Sequence, residues 1–284
     1  MTNPLIESRD AFAKRHPEQR ITLNGRDWGF LDIGDGPALI LIPGTLGRSD
    51  IFWQQIDALS GQLRILSTSY PDSGGVADWA NDIVALMVAR GIERATILGS
   101  SLGGFLAQYV AGARPDRVDQ LVAANTLHSV DGLDQRPPYA FDLENTPINT
   151  LRDGFGTGLE RWRELHPDQS DLVDLLLMEV GGRIPEPELR RRLAALKHGP
   201  VLPASGVPTD HIFTIEAQDD PLIPEEVRRA VRDRLTPAVA YVFKDGGHFL
   251  YVAKPKVYTA LLQQIMGLDD STGPDWGTGR ERVL

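Results

Sequence analysis

Short apolar runs alternate with amphipathic stretches along most of this chain. "ALILIPG" at 38–44 is apolar on successive residues, the mark of a strand covered on both faces. "LRILSTSY" at 63–70, "ATIL" at 95–98 and "QLVAANT" at 120–126 follow as further strands. Between them, 50–59 and 76–90 carry apolar residues at helical spacing, with Asp50 placed as a cap and Gly91 as a stop. A third helix follows "ATIL", on Phe105, Leu106, Tyr109 and Val110. Ahead of all this, 5–16 reads as a helix, and "RITLNGRDWGFLDIGDGP" at 20–37 as two strands around an Asn24-Gly25 turn.

The alternation breaks after about Ser129. Residues 131–158 are rich in Gly, Pro, Asn and Asp, and helical patterns follow at 159–180, broken at Pro167, and at 186–197. Strand-helix order resumes with "HIFTIEAQ" at 211–218, a helix at 225–235, "AVAYVFK" at 238–244 and a last helix at 255–266. This order predicts an α/β fold, a mostly parallel central sheet flanked by helices. The core comprises 1–129 and 208–268. Residues 130–207 form a helical cap insertion over one end of the sheet, and 269–284 a disordered tail.

Composition narrows the chemistry. A net charge of −10 offers no electrostatic footprint for nucleic acid or an anionic membrane. The absence of cysteine excludes disulfides, thiolate metal sites and a cysteine nucleophile, and leaves the redox compartment open. The first twenty residues are too charged for a signal peptide, and no apolar run approaches a membrane span, so the expectation is a cytoplasmic protein.

Where "ATIL" turns into its helix, the chain reads Gly99-Ser100-Ser101-Leu102-Gly103. A glycine turn with serine capping a helix accounts for such a stretch. So does the G-x-S-x-G nucleophile elbow, which holds Ser101 on a strained strand-to-helix turn with its hydroxyl clear of the backbone. The second reading requires a base and an acid at other strand ends, because sites in parallel sheets form at the carboxyl edge. Of the six histidines, His248 follows the last strand in "KDGGHFLYVAKP", and Gly246-Gly247 let the loop turn the ring inward. The acid belongs to "TIEAQDDPLIP", where Asp220 immediately precedes Pro221 and Asp219 is the runner-up. Backbone donors for a developing oxyanion are Leu102 N–H and, in "PGTLG", Thr45 N–H with Leu46 as second choice. No metal or organic cofactor is implied.

Together, strand-"PGT", G-x-S-x-G, an insertion, Asp after a strand and "GGH" before a final helix resemble the α/β-hydrolase superfamily over residues 20–266. "SSLGGFLAQ", "IFWQQIDALSG" and "GGHFLYV" look like its maspardin branch. Pro43 stands where many of those hydrolases carry histidine in an HG motif, and some maspardins lack a complete triad and are regarded as interaction proteins. The resemblance implies a serine hydrolase, carboxylesterase-like, with a small-molecule ester or acyl substrate. The alternatives are a non-catalytic interaction protein with a protein partner, or a triad enzyme for lactone opening or C–C bond hydrolysis. In the insertion, Phe155, Trp162 and Leu175 to Met178 offer an acyl pocket or packing between helices. Arg190, Arg191 and Arg192 offer contacts to an acidic substrate or a solvated face.

Overall fold

The apolar runs lie side by side in one sheet in the computed structural model, which describes residues 2–268 and 276–284. In chain order the elements begin with α1 (Pro4–Arg15), β1 (Gln19–Leu23), β2 (Arg26–Ile33), β3 (Ala38–Ile42), α2 (Trp53–Leu59) and β4 (Arg64–Ser69). Next come α3 (Val76–Ala89), β5 (Ala95–Ser100), α4 (Leu102–Ala113) and β6 (Val118–Ala124). Three helices then intervene, α5 (Ile148–Leu165), α6 (Ser170–Met178) and α7 (Glu186–Lys197). The chain returns to the sheet with β7 (Ile212–Ala217), α8 (Glu225–Leu235) and β8 (Val239–Phe243), then α9 (Leu250–Ala253), α10 (Pro255–Ile265) and β9 (Glu281–Val283).

The described strands run in the order β1-β2-β4-β3-β5-β6-β7-β8-β9, antiparallel at β1-β2 and β2-β4 and parallel elsewhere. Side-chain alternation explains why the central strands are apolar throughout. Leu39, Leu41, Leu98, Val122 and Ile215 pack on one face, where Trp53 and Ile56 of α2 and Leu261 and Leu262 of α10 cover them. Ile40, Ile42, Ile97, Leu121 and Ile212 pack on the other, under Trp79 and Ile83 of α3 and Leu106 and Val110 of α4. Each such side chain contributes roughly 1.5–3 kcal/mol on burial, so the central strands anchor everything built at their ends. The chain leaves β3 toward β4 and then crosses to β5, β6, β7 and β8 on the other side. This topological switch point puts the loops after β3 and β5 side by side, where ligands bind in open α/β sheets.

Three expectations change. The helix predicted at 159–180 starts earlier, with α5 at Ile148, and breaks at Pro167 before α6. Leu151, Phe155, Leu159 and Trp162 share one stripe, and that face outweighs the weak helix propensity of Gly154, Gly156 and Gly158. Asp50 does not cap α2, which starts at Trp53 without a side-chain cap; the Asp50 carboxylate pairs instead with Arg183, beyond α6. The tail is not disordered at its end. β9 adds a parallel strand to β8, Leu284 N–H donates to Val242 O at 2.8 Å, and Trp276 meets Tyr241 edge-on. Residues 269–275 of that expected tail lie outside the described residues. Among the described residues no helix is long and apolar enough to cross a membrane.

Candidate active site

Ser101 joins β5 to α4 with φ 56° and ψ −120°, a conformation that costs an L-residue of order 1–3 kcal/mol. Its neighbours hold it there. Ser101 N–H donates to Ala124 O at 2.9 Å, and Thr126 Oγ1 donates to Ser101 O at 2.7 Å. The flanking glycines are required by close approach: a β-carbon on Gly99 would lie 2.0 Å from Gly103 O, and one on Gly103 would lie 2.1 Å from Ile42 O. Ser101 does not cap α4 with its side chain, so the capping explanation of this serine fails.

Asp220 and His248 meet at the carboxyl edge of the sheet. His248 Nδ1 donates to Asp220 Oδ2 at 2.8 Å, and both side chains are buried. Every lone-pair direction of the carboxylate has a partner. Asn125 Nδ2 donates to Oδ2 at 2.8 Å, while the Leu222 and Ile223 amides donate to Oδ1 at 2.8 and 3.1 Å. Burial alone would push this carboxyl up. The His248 ring outweighs it, with help from Asn125 and the Leu222 amide, and the group is held below the usual aspartate range.

Asp219 has a different task. Its two oxygens accept from Gly246 N–H at 3.0 Å and Gly247 N–H at 2.9 Å, which fixes the loop that carries His248. Gly247 also needs its φ of +67°, and a β-carbon there would stand 2.6 Å from the Trp162 ring of α5. Trp162 therefore packs on the histidine loop, its indole N–H donating to Gln169 Oε1 at 3.0 Å. Leu175 and Leu176 are buried in the core, whereas Met178 is exposed.

The loop after β3 comes up against Ser101. Tyr70 Oη donates to Pro43 O at 2.7 Å, and Gly47 N–H closes on Gly44 O at 3.1 Å. The Thr45 and Leu46 amides are left without an acceptor among the described residues, as is the Leu102 amide in the first turn of α4. Thus the structure brings Ser101 beside the Thr45 loop, and Asp220 onto His248. Ser101 Oγ and His248 form no hydrogen bond with each other.

Asn125 escaped the sequence reading. It follows β6 with φ 41°, and its amide also reaches Gly247 O at 3.4 Å, so it braces both the acid and the histidine loop. Its only sequence signal is its place at the carboxyl end of "QLVAANT".

Residues 37–255 match the family described as the alpha/beta hydrolase fold. A putative carbamate hydrolase RutD from Caulobacter sp. (strain K31) is 26% identical over 81% of this chain and 92% of its own length. Maspardin from Danio rerio is 22% identical over 86% of this chain and 80% of its own length. Among solved structures, a hydrolase from Pseudomonas aeruginosa PA01 superposes with a TM-score of 0.75 at 19% identity, covering 88% of this chain and 98% of that one. The enol-lactonase from Burkholderia xenovorans LB400 also reaches a TM-score of 0.75, at 18% identity, over 88% of this chain and all of that one.

Proposed function

We propose that this chain, which belongs to the α/β hydrolase fold family, is a serine hydrolase that cleaves an ester or carbamate-type acyl bond of a small molecule. The observation that carries the reading is the buried Asp220–His248 pair, 2.8 Å apart with both carboxylate oxygens of Asp220 hydrogen-bonded, at the same sheet edge as the strained Ser101. With Nδ1–H committed to Asp220, the neutral imidazole presents Nε2 as the lone pair that accepts the Ser101 proton. Ser101 Oγ attacks the acyl carbon as that proton leaves, and the carbonyl oxygen takes up the electron pair. The amides of Thr45 and Leu102 donate to this oxyanion. Collapse expels the alcohol or amine, which takes the proton from His248. Water, deprotonated by the same ring, then attacks the acyl carbon, and Ser101 Oγ leaves with that proton returned from His248, which frees the acid and restores the enzyme. The helices α5–α7 act as the cap, with Trp162 over the histidine loop.

The carbamate part of the reading draws on the name of the Caulobacter relative, and the ester part on the generality of the mechanism. The likeness to maspardin supports a second reading, an interaction protein whose elbow is a relic. A fluorophosphonate probe separates the two. Covalent labelling confined to Ser101, with turnover of short acyl esters or aryl carbamates, is the expected result. No labelling and no turnover by folded protein would favour the interaction protein.

A further inference from the structure

The three consecutive arginines of α7 have three different fates. Arg191 faces solvent, and Arg190 binds Glu186 and, at 2.7 Å, Leu143 O. Arg192 is completely buried. Its Nη1 donates to Thr45 O at 3.0 Å and to Gly47 O at 2.7 Å, while Nη2 reaches Glu188 Oε2 at 3.2 Å. The guanidinium lies over the Tyr70 ring, 5.1 Å from its centre, and Tyr70 is the residue whose hydroxyl holds Pro43 O.

Burying a guanidinium carries a large desolvation cost, and an apolar side chain of similar size often serves packing as well or better. Here the cost is incompletely offset, because Arg192 Nε is buried without a partner. What the arginine adds is orientation. In a planar trans peptide the N–H points opposite to the C=O. Drawing Thr45 O toward Arg192 therefore turns the Leu46 amide away from it. Holding Gly47 O secures the turn in which Gly47 N–H binds Gly44 O, and that turn in turn aims the Thr45 amide. Pro43, Gly44, Thr45 and Gly47 thus all have their carbonyls engaged on other groups.

We propose that Arg192 is a positioning residue of the hydrolase, a guanidinium delivered by the insertion helix α7 that holds the 43–47 loop with its free amides set for the oxyanion. The inference rests on the serine-hydrolase reading. It makes the donor set next to Ser101 dependent on the docking of α7, which couples the insertion to transition-state stabilisation rather than to substrate binding alone.

The experiment compares wild type, Arg192→Lys and Arg192→Met by steady-state kinetics, fluorophosphonate labelling rate, and hydrogen exchange at the Gly47 amide. Losing an oxyanion donor costs about 10²–10³ in kcat, and Arg192→Met should fall near the low end of that range. Arg192→Lys keeps the charge but not the fork, and should lose roughly tenfold. KM should stay within about threefold, since the lost interaction forms in the transition state. Labelling should slow in parallel, and Gly47 should exchange faster. A side chain that only cements α7 would lower the melting temperature while leaving kcat and Gly47 exchange unchanged. That outcome, in whichever variant folds, overturns the proposal. If wild type itself neither labels nor turns over, the serine-hydrolase reading fails separately, and Gly47 exchange alone decides whether Arg192 holds the loop.

Discussion

Gly44 stands directly against Ser101: a β-carbon placed on Gly44 would lie 3.0 Å from Ser101 Cβ and 3.7 Å from its Oγ. The Gly44 φ is not in the left-handed region, so alanine meets no backbone penalty there, only the crowding. Gly44→Ala therefore separates folding from chemistry. The neighbour it crowds is the proposed nucleophile, and Ser100 O lies 3.3 Å away on the other side. Misplacing a reacting group by about 1 Å can cost 10²-fold, so kcat should drop between roughly tenfold and a hundredfold. Thermal unfolding should move little. Full activity in the alanine variant would mean that this loop does not border the reacting centre.

Ser101→Ala should abolish turnover and probe labelling. In other serine hydrolases the loss of the nucleophile costs on the order of 10⁶ in kcat. Ser100→Ala should lose less than about tenfold, because Ser100 is buried at the end of β5 and has no assigned chemical role. A dead Ser100 variant beside an active Ser101 variant would reverse the assignment of the elbow.

The two adjacent aspartates make a sharper test. Asp220→Asn keeps the size and the Oδ1 acceptor but presents an amide that cannot hold the His248 Nδ1 proton. The imidazole tautomer then inverts, and a loss of about 10⁴ in kcat is expected from the equivalent change in a serine protease triad. Asp219→Asn retains one oxygen for the Gly246 and Gly247 amides and should lose less than about tenfold. Rate measurements on both variants decide between them. The opposite pattern would assign the acid role to Asp219.

Much of the fold is legible in the sequence. Strands such as Ala38–Ile42 announce themselves because residues facing either side of the sheet are equally buried. Ser101, Asp220 and His248 could be picked out as candidates because each follows an apolar run, where the parallel sheet exposes its edge, and the structure brings Asp220 onto His248. Asn125 could not, since the contact that matters spans 95 residues and an asparagine after a strand is the ordinary start of a turn. Arg192 was hidden for another reason. A run of arginines on a helix ordinarily marks a solvated face, and a buried one is tolerable here through the carbonyls of Thr45 and Gly47, the Glu188 carboxylate and the Tyr70 ring. β9 was masked by its surroundings, a Gly- and Asp-rich tail in which Trp276 was the one residue large enough to signal packing. The early start of α5 shows tertiary burial overriding glycine's poor propensity.

The last prediction uses the lowered pKa of Asp220 as a stability probe. An unfolded aspartate titrates near 3.9, and the folded group lies below that. Between the two values the unfolded chain binds more protons, so the stability that the ionised carboxylate contributes rises with pH in that window. It is fully present above about pH 4 and is lost as the pH falls through the folded value. Urea midpoints measured from pH 5 down to pH 2.5 should therefore fall more steeply for wild type than for Asp220→Asn, and the gap between them should narrow below pH 4. Asn125→Ala removes one of the donors to the ionised form, and its acid slope should be intermediate. Parallel curves for wild type and Asp220→Asn throughout the acid range would show that the Asp220 carboxylate is not preferentially stabilised in its ionised form, and would remove the charge partner on which the role of His248 as a base depends.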